Sequence, residues 1–164
     1  MTLVRISQGL LDDLLHKAAE TPRRRQHHNL HTSHADPCQR LLNAIELDSY
    51  IRPHRHALDP KVECLVAVRG KFALITFDDH GSPERVVRFG TELHGRDGQL
   101  DIGVEVPAAT WHTVIALVPG SVLLEVKAGP FNPHAAKEPA PWAPEEQSAD
   151  AEGYFQALRR IAEP

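Results

Sequence analysis

At 164 residues the chain has the length of one domain with short additions at its ends, and its 41% apolar content is enough to build a core. A formal charge of −4 gives no field for holding nucleic acid, and no run reaches the ~18 apolar residues that would cross a membrane as a helix. Cys38 and Cys64 lie far apart outside any CxxC pattern, and the N-terminal apolar stretch carries acids and no small-residue cleavage site, so a reduced, cytoplasmic protein is expected.

The chain opens on a helical pattern. Ser7 is placed as an N-cap, and Leu10, Leu11, Leu14, Leu15 and Ala18 recur at helical spacing with Asp12, Asp13 and Lys17 opposite. Thr21-Pro22 ends the helix, because the residue before a proline resists the α conformation. Its apolar face, with a sheet of two apolar faces behind it, offers more surface than one small barrel hides, and a homodimer is expected. Next comes RRRQHHNLHTSHADP, basic, histidine-rich and without an apolar period. It reads as a solvated connector; the alternative is a lid in which Arg25, Asn29 and His31 meet an acidic ligand group.

From residue 40 the texture changes to short β-type runs. Strands are expected near 40–47, 49–54, 63–69, 71–78, 84–89, 100–106, 111–118 and 121–127. The punctuation is Asp59-Pro60, Arg69-Gly70, Asp78-Asp79-His80-Gly81, Asp97-Gly98 and Pro119-Gly120. With no helical pattern between them, such strands predict an all-β antiparallel sandwich or small barrel able to enclose a ligand. After Gly129 the prolines of GPFNPHAAKEPAPWAPEEQ preclude a core element; this tail is expected to run along the outside, anchored by Phe131 and Trp142. A short terminal helix follows, carried by Tyr154, Leu158 and Ile161. The expected organisation is 1–39 for helix and connector, 40–128 for the barrel and 129–164 for the tail.

Chemistry concentrates in YIRPHRHALDPKVECLVAVRG, residues 50–70. His54 and His56 stand two apart and share one face of a strand. Glu63 returns on the next strand, Gly70 opens a hairpin, and His112 follows a turn led by Pro107. Three imidazoles and a carboxylate suit one divalent transition metal (Fe, Mn, Zn or Ni), and six-fold coordination would leave two positions open for a substrate. Buried, hydrogen-bonded histidines are the alternative. A ligating imidazole also needs an acceptor for its other nitrogen, and the sequence identifies none. Glu125 and Lys127 share a face of a late strand, either as a surface pair or as pocket groups with Glu125 a general base. Cys64 is expected to point away from Glu63, into the core.

These residues resemble the two motifs of the cupin superfamily, G-x5-HxH-x3/4-E-x6-G and G-x5-PxG-x2-H-x3-N, across residues 40–127. His54, His56, Glu63, Gly70, Pro107 and His112 match. Six residues stand between His56 and Glu63, an insertion that costs little outside the ladder. Ala109 replaces the usual glycine, which predicts a turn without positive φ there, and Ala116 replaces the usual asparagine. NLH at 29–31, DPCQRLLNAIE, PHRH, FDDHG, P-x-x-TWH and EVKAGPF followed by APWAPEE are similar, over nearly the whole chain, to the WbuC-type cupin-fold metalloproteins.

That resemblance implies a cupin-type double-stranded β-helix, or jelly-roll barrel, holding a metal, in a group associated with bacterial surface-polysaccharide gene clusters and without a settled reaction. It also draws Asn29, His31, Gln39, Arg40 and Asn43 toward the pocket mouth, against the alternative of solvated polar groups. The expected function is a metal-dependent enzyme acting on a small sugar or sugar-derived metabolite, either an isomerase or epimerase using Glu125 or a ferrous dioxygenase. Its small-molecule partner is expected to be anionic or sugar-derived. The alternatives are a non-catalytic ligand-binding or regulatory cupin and a metal-free structural dimer.

Overall fold

The computed structural model describes residues 3–91 and 100–163. Helix α1 (Gln8–Glu20) begins where Ser7 Oγ accepts from the Leu10 N–H at 3.2 Å and stops at extended Thr21. The strands are β1 (Arg25–Asn29), β2 (Cys38–Ile45), β3 (His54–Arg55), β4 (Glu63–Arg69), β5 (Lys71–Phe77), β6 (Pro83–Gly90), β7 (Gly103–Val106), β8 (Trp111–Ala116), β9 (Ser121–Ala128) and β10 (Glu138–Pro139); α2 spans Ala151–Ala162. They form two five-stranded antiparallel sheets, ordered β1-β2-β9-β4-β7 and β10-β3-β8-β5-β6 among the described residues. This is the cupin-type jelly roll. At the β4–β5 hairpin Gly70 has φ of 81°, and a Cβ there would run into Ser121.

Apolar packing forms three layers. Between the sheets lie Ile45, Leu65, Phe72, Leu74, Phe89, Val114 and Leu123. Outside the first sheet, Leu11, Leu14 and Ala18 of α1 cover Leu42, Ala44 and Val122. Outside the second, Phe155, Leu158 and Ala162 of α2, with Ala140 and Ala143, cover Ile75, Phe77, Trp111 and Ile115. Both faces of β8 are therefore buried along its whole length: His112, Val114 and Ala116 face one way and Trp111, Thr113 and Ile115 the other.

Several expectations change. The stretch 25–29 is an edge strand, β1, paired from Arg25↔Ile45 to Asn29↔Leu41. Its lack of an apolar period suits an edge, where polar side chains blunt further pairing. The run 49–54 joins a ladder only at His54, since other groups take its carbonyls: Arg25 on Tyr50 (2.9 Å), Thr113 Oγ1 on Ile51 (2.6 Å) and the Ala140 amide on Pro53 (2.9 Å). The tail does contribute to a sheet. Glu138 pairs with Arg55 and its carboxylate takes a fork from that guanidinium at 2.8 and 3.0 Å, while Pro139 is tolerated because β10 is an edge. Trp142 packs on Phe77 at 5.0 Å and Phe131 lies against His34 at 4.9 Å. In α2 the buried stripe is Ala151, Phe155, Leu158 and Ala162: Leu158 lies where expected, while Phe155 and Ala162 take the places expected of Tyr154 and Ile161, and Ile161 is exposed. Cys64 is half-buried rather than in the core. Asp97-Gly98 lies outside the described residues.

Candidate metal centre

Strand register brings the site together. His54 is the cross-strand partner of His112, and Glu63 is the partner of Lys127 on the opposite sheet. Along the same inward face, Gln39 pairs with Lys127, Leu41 with Glu125 and Asn43 with Leu123. The His54, His56 and His112 side chains are buried, and their donor atoms lie within 4.8 Å of one another.

Each imidazole is aimed through its Nδ1. That of His54 bonds the Arg52 carbonyl at 3.0 Å, that of His112 the Thr110 carbonyl at 2.8 Å, and that of His56 the Ala136 carbonyl. A carbonyl can only accept, so Nδ1 carries the proton and Nε2 presents a lone pair. The acceptors missing from the sequence are thus main-chain carbonyls, two of them two residues before the histidine they orient and one supplied by the tail.

Glu63 stands against these lone pairs. Its Oε1 is 3.0 Å from His56 Nε2 and its Oε2 is 3.4 Å from His112 Nε2. His56 Nε2 is buried, and despite that short distance its geometry gives no hydrogen bond. A lone pair facing an anionic oxygen in a dry site calls for a cation between them. Donors about 2.1 Å from a metal are about 3.0–3.4 Å from their neighbours, and the two Glu63–histidine distances are of that size. Burial works against the ionised Glu63 carboxyl, and the Lys127 ammonium, 2.9 Å from its Oε1, works for it. Burial, then the charge of Lys137, pushes His54 well below the usual imidazole value, so it stays neutral and able to ligate.

Lys127 Nζ joins Glu63 Oε1 (2.9 Å) to Glu125 Oε1 (2.6 Å). Burial works against the ammonium, but Glu125 and Glu63 more than offset it, and the Lys127 pKa is raised. The pair at 125 and 127 therefore faces the pocket. Around His54, Glu63 and His112 is an inner chamber of about 50 Å³. It shares Asn43, Glu125 and Lys137 with an outer chamber of about 760 Å³.

The structure places Arg25, Asn29, His31, Gln39 and Asn43 on the outer chamber wall, but not all as ligand groups. Arg25 is spent on Glu146, at 2.6 and 2.7 Å, so it does not offer a free cation to an acidic ligand. His31 Nδ1 accepts from the Arg40 amide at 3.0 Å, and buried Gln39 donates to the Asp36 carbonyl at 2.8 Å. Arg40 is a correction. It alternates to the other face of β2, where its guanidinium meets Asp36 at 2.9 Å. Ala109 is another: its φ is +62°, in the region alanine was expected to avoid. The Ala109 N–H donates to the His56 carbonyl at 3.2 Å, so the strained turn ties the His112 segment to the His56 segment. Lys127 as a tether, Lys137 and Glu146 were not singled out by the sequence; the last two sit in the aperiodic tail.

Residues 6–89 match a family model described as a domain of unknown function, DUF6016. The chain belongs to that family. The match takes in His54, His56 and Glu63 and ends before His112. No curated protein matches this DUF6016 chain. Among solved structures it is similar to protein SO0799 from Shewanella oneidensis, at 10% identity over 84% of this chain and 86% of that one, with a TM-score of 0.57. At that identity the likeness is one of fold. Two further structures superpose more loosely: a cupin 2 domain-containing protein from Halorhodospira halophila (17% identity, 84% and 80% covered, TM-score 0.48) and KdgF from Halomonas sp. (16%, 69% and 85%, 0.48). No helix among the described residues is long and apolar enough to cross a membrane.

Proposed function

We propose that this chain is a metal-dependent enzyme acting on a small sugar-derived metabolite, with His54, His56, Glu63 and His112 holding one divalent transition metal. The observation that supports it is the unpartnered Nε2 of buried His56 facing Oε1 of Glu63 at 3.0 Å. Such a metal supplies Lewis-acid polarisation of a substrate oxygen in its open positions. The rest is the work of the chain. Glu125 faces the inner chamber and is the group placed to take a proton from carbon beside that oxygen, as an isomerase or epimerase requires. Lys127 fixes the Glu125 carboxylate and brings positive charge to the same wall. Ile51, Leu65 and Val114 are among the apolar side chains that complete the chamber wall.

The sequence likeness to WbuC-type proteins supports a place in surface-polysaccharide metabolism, and free Cys38 and Cys64 support a cytoplasmic setting. A non-catalytic ligand-binding cupin is the second reading, favoured by the 2.6 Å ion pair that occupies Glu125.

The test begins with metal analysis of protein purified without nickel resin. Stoichiometric metal is expected, and the double variant His54→Ala, His56→Ala is expected to lose it; full retention would refute the ligand assignment. Metal-loaded protein is then incubated with keto and aldo sugars in D2O. Exchange of carbon-bound hydrogen that disappears in Glu125→Gln supports the enzyme, and its absence across the panel supports the binding module.

A further inference from the structure

The two chambers differ in size and charge. An inner volume of about 50 Å³ holds little more than a water molecule's share of liquid, about 30 Å³, so only a slender reacting end enters. The outer volume of about 760 Å³ is of the size that encloses whole small molecules. Most charges on these walls are already committed. Arg23 and Arg25 both meet Glu146, leaving a surplus positive charge, while Lys127 lies between Glu63 and Glu125, leaving a surplus negative one. These surpluses cancel. The cation left over is Lys137, which lines both chambers and has no carboxylate within ion-pair distance among the described residues.

Lys137 is also held in place. It follows Ala136, whose carbonyl receives His56 Nδ1, and precedes Glu138, which is fixed to Arg55 in the β10–β3 ladder. The ammonium is therefore carried at the junction by a segment anchored on both sides. Amide groups of Asn29 and Asn43 lie along the same walls.

We propose that the substrate is an anionic, hydroxylated small molecule whose carboxylate or phosphate is held by Lys137 at the neck between the two chambers. Its reacting end reaches inward and its polyhydroxylated body fills the outer chamber. The proposal rests on the metal-centred reading above, which it narrows to a charge class and a recognition residue.

The experiment is calorimetric titration of the full-length, metal-loaded chain with D-glucuronate, D-glucose 6-phosphate and neutral D-glucose. We expect one of the two anions to bind and D-glucose not to; which anion binds identifies the group as carboxylate or phosphate. Lys137→Met is expected to weaken that binding about tenfold to a hundredfold, and Lys137→Arg to retain most of it, with metal content unchanged in both. Wild-type affinity in Lys137→Met, equal binding of D-glucose, or no binding of either anion would each overturn the proposal. Wild-type protein lacking metal would instead sink the metal-centred reading. The same titration on metal-free chain, where Lys137 and both chambers persist, then decides the anion site by the same criteria.

Discussion

Between Glu63 and Glu125 lies one ammonium, Lys127 Nζ, 2.9 Å from the first carboxylate and 2.6 Å from the second. All three side chains are largely removed from water, at 5%, 15% and 11% exposure for Glu63, Glu125 and Lys127, so the group is stable only while its charges are paired. Lys127→Met is expected to destabilise the metal-free protein by about 3 kcal/mol, since it leaves two buried carboxylates without a partner. A divalent cation at the histidine centre should recover part of this, because it neutralises Glu63. Thermal melts with chelator and with added Zn²⁺ or Mn²⁺ measure both effects; a variant as stable as wild type in chelator would show that the tether carries no stability. At the same scale the two-residue spacing drew attention to His54 and His56, which do lie close together, although β3 ends at Arg55 and the strand face they were expected to share does not reach His56. Lys127 as a bridge was not legible, because its partner Glu63 comes from a strand 64 residues away.

Among the elements, the tail joins most of the functional pieces. It supplies the carbonyl that orients His56, the ammonium at the neck, a two-residue strand and the carboxylate of Glu146. Glu146 takes Arg25 in two short bonds and Arg23 at 3.2 Å, clamping the tail to β1. Burial would raise its carboxyl, but Arg25, then Arg23, lower it below the usual value. A depressed carboxylate stabilises the fold fully above its unfolded pKa and loses that contribution as pH falls through the folded one. The clamp is thus intact at pH 7. Its contribution starts to decline as pH falls past about 4.3, where the unfolded carboxyl titrates, and is gone only below the lower folded value. Glu146→Gln should cost about 2 kcal/mol at pH 7, the size of a hydrogen bond to a charged group, and less near pH 3, below the unfolded value. Urea unfolding at the two pH values gives the comparison; an equal loss at both would mean that the clamp is not electrostatic. Proline content made this segment read as a passive strap, since composition reports what a backbone cannot do and not which of its carbonyls and side chains are used.

For the molecule as a whole, each sheet of the barrel is sealed outside by one helix. α1 spends Leu11, Leu14 and Ala18 on Leu42, Ala44 and Val122 of its own chain, so its apolar face no longer argues for a homodimer. That state stays a proposal, supported by exposed Leu58, Val62 and Ile102. Removing residues 1–20 should uncover the outer face of β2 and β9 and cost several kcal/mol, at about 1.5–3 kcal/mol for each large apolar side chain exposed. Increased dye binding to apolar surface and a lower melting temperature would follow, and light scattering on the intact chain reads the oligomeric state separately. By itself the sequence determined what depends on neighbours along the chain: the extent of α1 from its cap and proline, most strands from their runs and turns, and the closeness of His54 and His56. Only the tertiary structure decided what depends on contacts between distant segments: His54 opposite His112, Glu63 opposite Lys127, and the tail segment that brings Lys137 to the pocket wall. Those pairings are set by burying both faces of both sheets at once, a condition on the whole molecule that no single stretch of sequence contains.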